Sequence, residues 1–271
     1  VEMQSWEPSL KGLLWAWYGG QEAGTAIART LFGELNPSGK LPVTFEKRWE
    51  DNPTFHSYYD PDGDKHVEYT EGIFVGYRGY DKLKREVQYP FGYGLSYTRF
   101  KLSAPTVGTP KTDGSVTVTC KLTNTGRTAG AEVVQLYVSN KDTTVEHPEK
   151  ELKGFAKVYL KAGESRQLRI PFDDKTFRYW NIKTGQWEIE TGTYQIMVGA
   201  SVADIRLTGM TERTGNSKGY PYNPAKMPYY YTGIVQKISD EEFRELLGHE
   251  IPNGRWSGNL EINDAICQMY Y

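Results

Sequence analysis

Apolar and polar positions change their period along this chain, and the changes divide it. Leu13-Leu14-Trp15-Ala16-Trp17 is a short uninterrupted apolar run closed by Gly19-Gly20. That pattern predicts a strand buried on both faces, as in a parallel sheet covered by helices. Ala23, Ile27 and Leu31 then recur every fourth residue, Gly24 and Ala28 keep the next stripe small, and Gly33 stands where a left-handed cap would end a helix. Strand, glycine turn and helix make a βα unit. Asn36-Pro37-Ser38-Gly39 is a turn cluster, and Lys40 to Phe45 resumes an extended alternation, with Pro42 at a position that an edge strand tolerates. From Glu46 to about Tyr69 neither period holds, and Asp, Pro, Tyr and Gly dominate. An ordered surface loop is expected there, and its length and aromatic content point to a working role.

After Phe100 the period becomes two. Val116, Val118, Cys120 and Leu122 form one inward set, Val134, Leu136 and Val138 a second, Leu168, Ile170 and Phe172 a third, and Tyr194, Ile196 and Val198 a fourth. Asn124-Thr125-Gly126, Lys161-Ala162-Gly163 and Thr191-Gly192 punctuate them. Short strands at this spacing predict an antiparallel β-sandwich. The stretch from Lys150 onward alternates less regularly. From Met210 to Thr232 the chain reads as turn-rich, and one helix is expected beyond it. Ser239 and Glu242 have capping-box spacing, Phe243, Leu246 and Leu247 supply an apolar stripe, and Gly248 a stop. So short a helix should dock on another surface.

Composition excludes more than it selects. Of the 271 residues 38% are hydrophobic and 24% charged, ordinary for a globular chain of about one or two domains. Lys and Arg number 32 against 34 Asp and Glu, without a basic run, so nucleic acid is not an expected partner. No apolar run approaches the ~18 residues of a membrane span, so no membrane partner is expected either. The opening Val1-Glu2-Met3-Gln4-Ser5 has no targeting pattern. Localisation is left unassigned, and the early strand pattern leads us to expect a piece of a longer chain. Cys120 and Cys267 show no metal or disulfide spacing, and Cys120 reads as core packing. His56, His66, His147 and His249 show no paired-ligand spacing, so no metal site is expected, and His147 reads as solvated. Gly19-Gly20 before a helix could cradle an anion, but without a complete phosphate-binding pattern the tight-turn reading is preferred.

Four motifs carry a resemblance. Trp17-Tyr18-Gly19-Gly20-Gln21-Glu22-Ala23-Gly24 and Asn36-Pro37-Ser38-Gly39-Lys40-Leu41-Pro42 are followed by Tyr69-Thr70-Glu71-Gly72-Ile73-Phe74-Val75-Gly76-Tyr77-Arg78 and Pro90-Phe91-Gly92-Tyr93-Gly94-Leu95-Ser96-Tyr97-Thr98. In this order they resemble the end of the α/β sandwich domain of glycoside hydrolase family 3, the β-glucosidase-like family. Glu151-Leu152-Lys153-Gly154-Phe155 resembles a strand of the fibronectin type III-like domain that often ends such enzymes. The resemblance covers about residues 1 to 200. It implies a fold class of α/β plus all-β, with residues 1–100 the C-terminal part of the α/β sandwich domain and 101–210 a fibronectin type III-like sandwich. A C-terminal extension with one short helix occupies 211–271.

The implied parent reaction is hydrolysis of a terminal β-linked sugar by a retaining mechanism, with no cofactor and no metal. Such chemistry needs two carboxyl groups about 5 to 5.5 Å apart. In the family both belong to segments for which this chain has no match, so no catalytic residue is expected here, and the chain alone should be inactive. Glu71 is expected either to play a structural part, pairing with Arg78 or accepting backbone N–H groups, or to line the substrate cleft with Tyr69. Phe55, Tyr58 and Tyr59 are expected to offer stacking faces to sugar. Trp180 and Trp187 read as core packing. The implied partners are the barrel and upstream sandwich segments of the same enzyme and a β-glycoside substrate. A homo-oligomer is also entertained for the extension, which could instead cover the sandwich or reach the barrel. The isolated chain is expected to expose an open sheet edge and an apolar face and to be poorly soluble, whereas the sandwich should be stable alone. A standalone carbohydrate-binding or scaffold module, and one subunit of a split enzyme, are the competing readings.

Overall fold

The computed structural model describes residues 2–59, 67–219 and 221–252. The first part holds α1 (Ala23–Leu31), β1 (Phe45–Glu46), α2 (Tyr77–Lys82) and β2 (Val87–Tyr89). The second holds β3 (Phe100–Val107), β4 (Val116–Asn124), β5 (Gly130–Asn140), β6 (Glu151–Leu160), β7 (Ser165–Phe172), β8 (Arg178–Asn181), β9 (Gln186–Ile189), β10 (Gly192–Ser201) and β11 (Asp204–Arg213). Two helices close the chain, α3 (Pro228–Thr232) and α4 (Asp240–Leu247). This is the expected α/β plus all-β class.

The period-2 sets assemble the sandwich. An antiparallel sheet in the order β11-β10-β5-β6 packs on a sheet in the order β3-β4-β7, and all four inward sets meet in one core together with Leu102, Val158, Leu160 and Phe177. Each such side chain contributes about 1.5–3 kcal/mol on burial. A slip of one residue would turn a whole set to water, which pins pairs such as Cys120 opposite Leu168 and Val138 opposite Ile196. Irregular alternation after Lys150 has a local cause. Leu136 faces Gly154 and Tyr137 faces Leu152, leaving Lys153 as the extra residue of a bulge in β6. The last strand, β11, runs to Arg213, past the boundary expected at 210.

The first part departs from expectation. Leu13–Trp17 is not a strand, because among the described residues no strand lies beside it to satisfy its backbone. Trp15 packs edge-on against Phe45 at 4.8 Å. α1 forms where the four-residue spacing places it, and Gly33 ends it with φ 79°, yet none of its residues is buried. Of the extended Lys40 to Phe45 pattern, only Phe45 enters a strand, Phe45–Glu46, paired with β2.

Two of the four motifs prove to be a clamp between the parts. Leu41 N donates to Tyr93 O and Gly92 N to Leu41 O, both at 2.8 Å. Lys40 Nζ donates to Gly94 O (2.8 Å) and pairs with Glu132 (2.8 Å). Asn36 Oδ1 accepts from Ser96 Oγ (2.9 Å) and Tyr97 N (2.8 Å), while its Nδ2 donates to Ala129 O (3.0 Å). On the outer face of the four-stranded sheet, Tyr137, Met197 and Val202 pack against Tyr77 and Phe91. A charged seam runs alongside: Arg78 with Glu151 (3.0 Å), Asp81 with Lys150 (3.0 Å) and Lys82 with Glu146 (2.5 Å).

The extension packs on the first part. Met227, Tyr230 and Val235 join Phe74 in a buried cluster, and Gln236 Nε2 donates to the carbonyls of Glu50 (2.9 Å) and Asn52 (3.0 Å). Ser239 Oγ accepts from Glu242 N (3.3 Å), one half of the expected capping box. The other half is absent. Glu242 Oε1 instead accepts from Tyr229 N (2.9 Å) and Tyr230 N (3.2 Å), satisfying orphan donors at the start of α3, which has no side-chain cap of its own. Cys120 is buried as expected, and Cys267 lies outside the described residues.

Candidate functional site

The loop after Glu46 is organised around Trp49, a residue the sequence reading did not single out. A single 3-10 turn, Trp49–Asp51, presents it. The turn is pinned by Glu2 Oε1, which accepts from Trp49 N (2.8 Å), and by Arg85 Nη1, which donates to Asp51 O (2.6 Å). Arg48 Nη2 donates to the buried Asp51 carboxylate (2.8 Å) and holds it below the usual carboxylate range against the opposing effect of burial. Phe55 and Tyr58 stand edge-on to the Trp49 ring at 5.9 and 6.2 Å, and Tyr59 meets Tyr58 at 5.0 Å. Three of the five expected lining residues are thereby gathered on one scaffold.

Glu71 is 2% exposed and opens the short turn Gly72–Phe74. Ser57 Oγ donates to its Oε2 at 3.3 Å, tying it to the aromatic loop. Burial pushes its carboxyl up, opposed by its own N–H and by Ser57; no second carboxylate contributes. Gly72 has φ 52°, and any side chain there would press into Tyr230 and Leu246 of the extension. The expected Glu71–Arg78 pairing does not form, because α2 turns Arg78 toward Glu151 on β6. Tyr69 stands in solvent, its carbonyl accepting from Gly72 N (3.1 Å), and its ring stacks on none of the other candidates.

Three further expectations are corrected. His147 is not solvated: its Nε2 lies 3.0 Å from Glu190 Oε2, in a carboxylate site that also draws in the backbone of the β5–β6 connection. Trp180 and Trp187 are not core. They lie on the face of the β8–β9 hairpin turned away from the sandwich, 46% and 57% exposed. Two surface cavities take in none of the five candidates. One of about 650 Å³ opens at the sandwich edge near Thr109, Thr193 and Thr211. Another, of about 230 Å³, lies behind the loop between Asp51, Tyr80, Arg85 and Gln236. His56 rests edge-on to Phe55, His249 is exposed, and His66 lies outside the described residues. A side chain at Gly19 would run into Ala23, in keeping with the tight-turn reading. Among the described residues no three His, Cys, Asp or Glu side chains converge as metal ligands would. What remains is a cluster of aromatic rings around Trp49 with the buried Asp51 and Glu71 carboxylates beside it and the extension behind Glu71.

The sequence model of the glycosyl hydrolase family 3 C-terminal domain matches residues 1–77, and that of the fibronectin type III-like domain matches residues 132–202. A probable β-glucosidase K of Emericella nidulans is 47% identical over 212 residues, which make up 78% of this chain and 24% of that protein. The thermostable β-glucosidase B of Acetivibrio thermocellus is 44% identical over 211 residues, 76% of this chain and 27% of that protein. An exo-α-(1→6)-L-arabinopyranosidase of Bifidobacterium longum is 41% identical over 222 residues, 82% of this chain and 29% of that protein. Among solved structures, a family 3 β-glucosidase of Bifidobacterium adolescentis superposes with a TM-score of 0.77 at 36% identity, covering 90% of this chain and 34% of that one. β-Glucosidase 3B of Thermotoga neapolitana in complex with glucose gives 0.74 at 37% identity, covering 80% and 30%. The chain spans about a quarter of the length of the curated relatives it matches.

Proposed function

The chain belongs to glycoside hydrolase family 3, corresponding to the C-terminal part of its β-glucosidase-like members, and from that premise we propose that it is a non-catalytic wall of a glycosidase site. In this reading Glu71, Tyr69, Phe55, Tyr58 and Tyr59 line the cleft, with Trp49 behind the rings. A barrel and upstream sandwich segments supply the nucleophile and the acid/base, and the reaction is hydrolysis of a terminal β-linked sugar with retention. Residues 1–100 contribute the wall, the sandwich is its buttress, and the extension braces it.

The observation that carries the reading is the Ser57–Glu71 bond, which joins the aromatic loop and the buried acid into one surface. No residue of α1 is buried and Leu31 on its apolar stripe is exposed, which supports the need for further segments, since a helix of this pattern ordinarily buries that face. Sugar identity rests elsewhere in the enzyme: this stretch is 47% identical to a β-glucosidase and 41% identical to an arabinopyranosidase. The test is hydrolysis of a panel of nitrophenyl β-glycosides by the chain alone and mixed with a separately expressed family 3 barrel half. Silence alone with turnover on mixing is expected; turnover by the chain alone refutes the absence of the catalytic pair.

A further inference from the structure

Two tryptophans in water forfeit the burial that ordinarily places them in a core or an interface. Trp180 on β8 and Trp187 on β9 are direct register partners, so both side chains leave the same face of the hairpin. Their ring centroids are 5.4 Å apart with planes at 70°, an open corner of two aromatic faces. The opposite face of the hairpin is held rigid. There the Glu188 carboxylate accepts from Tyr179 OH (3.0 Å), Asn181 Nδ2 (3.0 Å), Thr184 Oγ1 (2.7 Å) and Lys218 N (2.9 Å). The corner is thus presented at fixed geometry, and a ligand would bind with little ordering cost.

We propose that the Trp180–Trp187 corner is a second sugar-binding surface that takes pyranose rings of an oligomeric β-glycan. A pyranose has an apolar C–H face and a hydroxyl rim, and the corner matches both. The indole faces meet the first. Arg178, two residues from Trp180 and therefore on the same face, meets the second together with its ion-pair partner Asp174. Area argues against a protein partner. At their observed exposures the two rings offer roughly 250 Å² of surface, against about 800 Å² per partner in a stable protein interface. Position argues for a chain rather than a monosaccharide. Leu246, in the last turn of α4, lies over Gly72, next to Glu71, and Ile182 beside the hairpin lies over Gly248, which caps the same end of α4. The C-terminal turn of α4 therefore lies between the corner and the candidate wall. A glycan of several sugars held at the corner would reach the wall. The β-linkage and the link to the wall rest on the function proposed above.

The test is electrophoresis of the full 271-residue chain through gels containing hydroxyethylcellulose, laminarin or, as the α-linked control, dextran. Retardation by a β-glucan and not by dextran is expected, weakened about tenfold or more by Trp180→Ala or Trp187→Ala and abolished in the double variant. Trp187→Tyr should retain most of it. No retardation of the wild type, equal retardation by dextran, or retardation unchanged in the double variant would overturn the proposal. So would a double variant that alters the sedimentation of the chain but not its retention, which would assign the corner to a second copy. Retention needs no turnover. If the mixed halves fail to hydrolyse nitrophenyl glycosides while retention persists, it is the wall reading that falls and not the corner. If they do hydrolyse, the Trp variants should do so at the wild-type rate.

Discussion

Replacing Glu190 by glutamine should cost the sandwich about 3 kcal/mol, and the figure follows from its surroundings. The side chain is 4% exposed. It accepts from Asn140 Nδ2 (3.2 Å), Thr143 Oγ1 (2.8 Å), Thr144 N and Oγ1 (both 2.8 Å) and Val145 N (3.1 Å), with His147 Nε2 at 3.0 Å. Burial pushes its carboxyl up, but the donors, His147 foremost, outweigh burial and bring it down to about 2 from 4.5. At ~1.36 kcal/mol for each tenfold change in acidity, that drop corresponds to about 3 kcal/mol. Because the folded value lies below the unfolded one, this stability is fully present above pH 4.5 and is lost as pH falls toward 2. Glutamine keeps one acceptor but sets an NH2 against groups that themselves donate. The sandwich should melt roughly 10–20 °C lower if it unfolds as one unit.

The loss should also spread. The 141–150 connection that Glu190 gathers carries Glu146 and Lys150, partners of Lys82 and Asp81 on α2. Amide exchange across this connection should therefore quicken in the variant even under native conditions. The assay is urea unfolding of both proteins from pH 7 to pH 2, with the wild type losing about 3 kcal/mol more than the variant below pH 4.5, beyond the loss both share through carboxyls such as Glu188. An E190Q midpoint at pH 7 within ~0.5 kcal/mol of wild type, or parallel pH profiles, would refute this account.

Other perturbations probe the remaining joints. Gly92 has φ 80°, and a side chain there collides with Gln135, so Gly92→Ala should lower stability by about 1–3 kcal/mol in thermal unfolding and loosen the clamp to Leu41. Glu71→Gln should leave turnover of the mixed halves within about tenfold of wild type; a loss of ~10³ or more would make Glu71 catalytic. Burial raises the Glu71 carboxyl, so wild-type stability should decline as pH rises above 4.5, and the glutamine variant should lack that decline in a pH series of melting temperatures. Tyr230→Ala should cost about 3 kcal/mol and make the 49–59 loop an early site of limited proteolysis, because the cluster behind Gly72 loses a fully buried ring. Leu31 and Phe32 are 66% and 84% exposed, so Leu31→Glu with Phe32→Glu should reduce self-association in sedimentation without lowering the melting temperature.

The clamp changes how the family motifs are understood. Asn36, Lys40, Leu41, Gly92 and Gly94 bond one another and the sandwich, so two of the four stretches by which the chain resembles its family hold two parts in register. The proposed wall depends on this joint, because α2, which follows Glu71, is fastened to β6 by the same interface.

What the sequence alone determined is local and periodic. The inward sets from Val116 to Val198 follow from strand geometry, which commits every second residue to one face whatever lies opposite. Helix α1 with its Gly33 stop, the Ser239 cap and the Gly248 stop follow from short-range bonding rules, and the ordered motifs sufficed for the family. Tertiary structure decided whatever depends on a distant partner. Among the described residues Leu13–Trp17 has a strand's composition but no strand beside it, and α1 has a buried helix's pattern although none of its residues is buried. His147, solvated by its surroundings in sequence, is drawn in by Glu190, 43 residues away. Trp180 and Trp187 carry the composition of core and the position of surface, since which face of a two-stranded hairpin meets the sandwich is set by packing and not by the hairpin itself. Glu71 was visible as a lone acid among aromatics, but its attachment to Ser57, 14 residues earlier, and the extension at its back exist only once the chain has closed on itself.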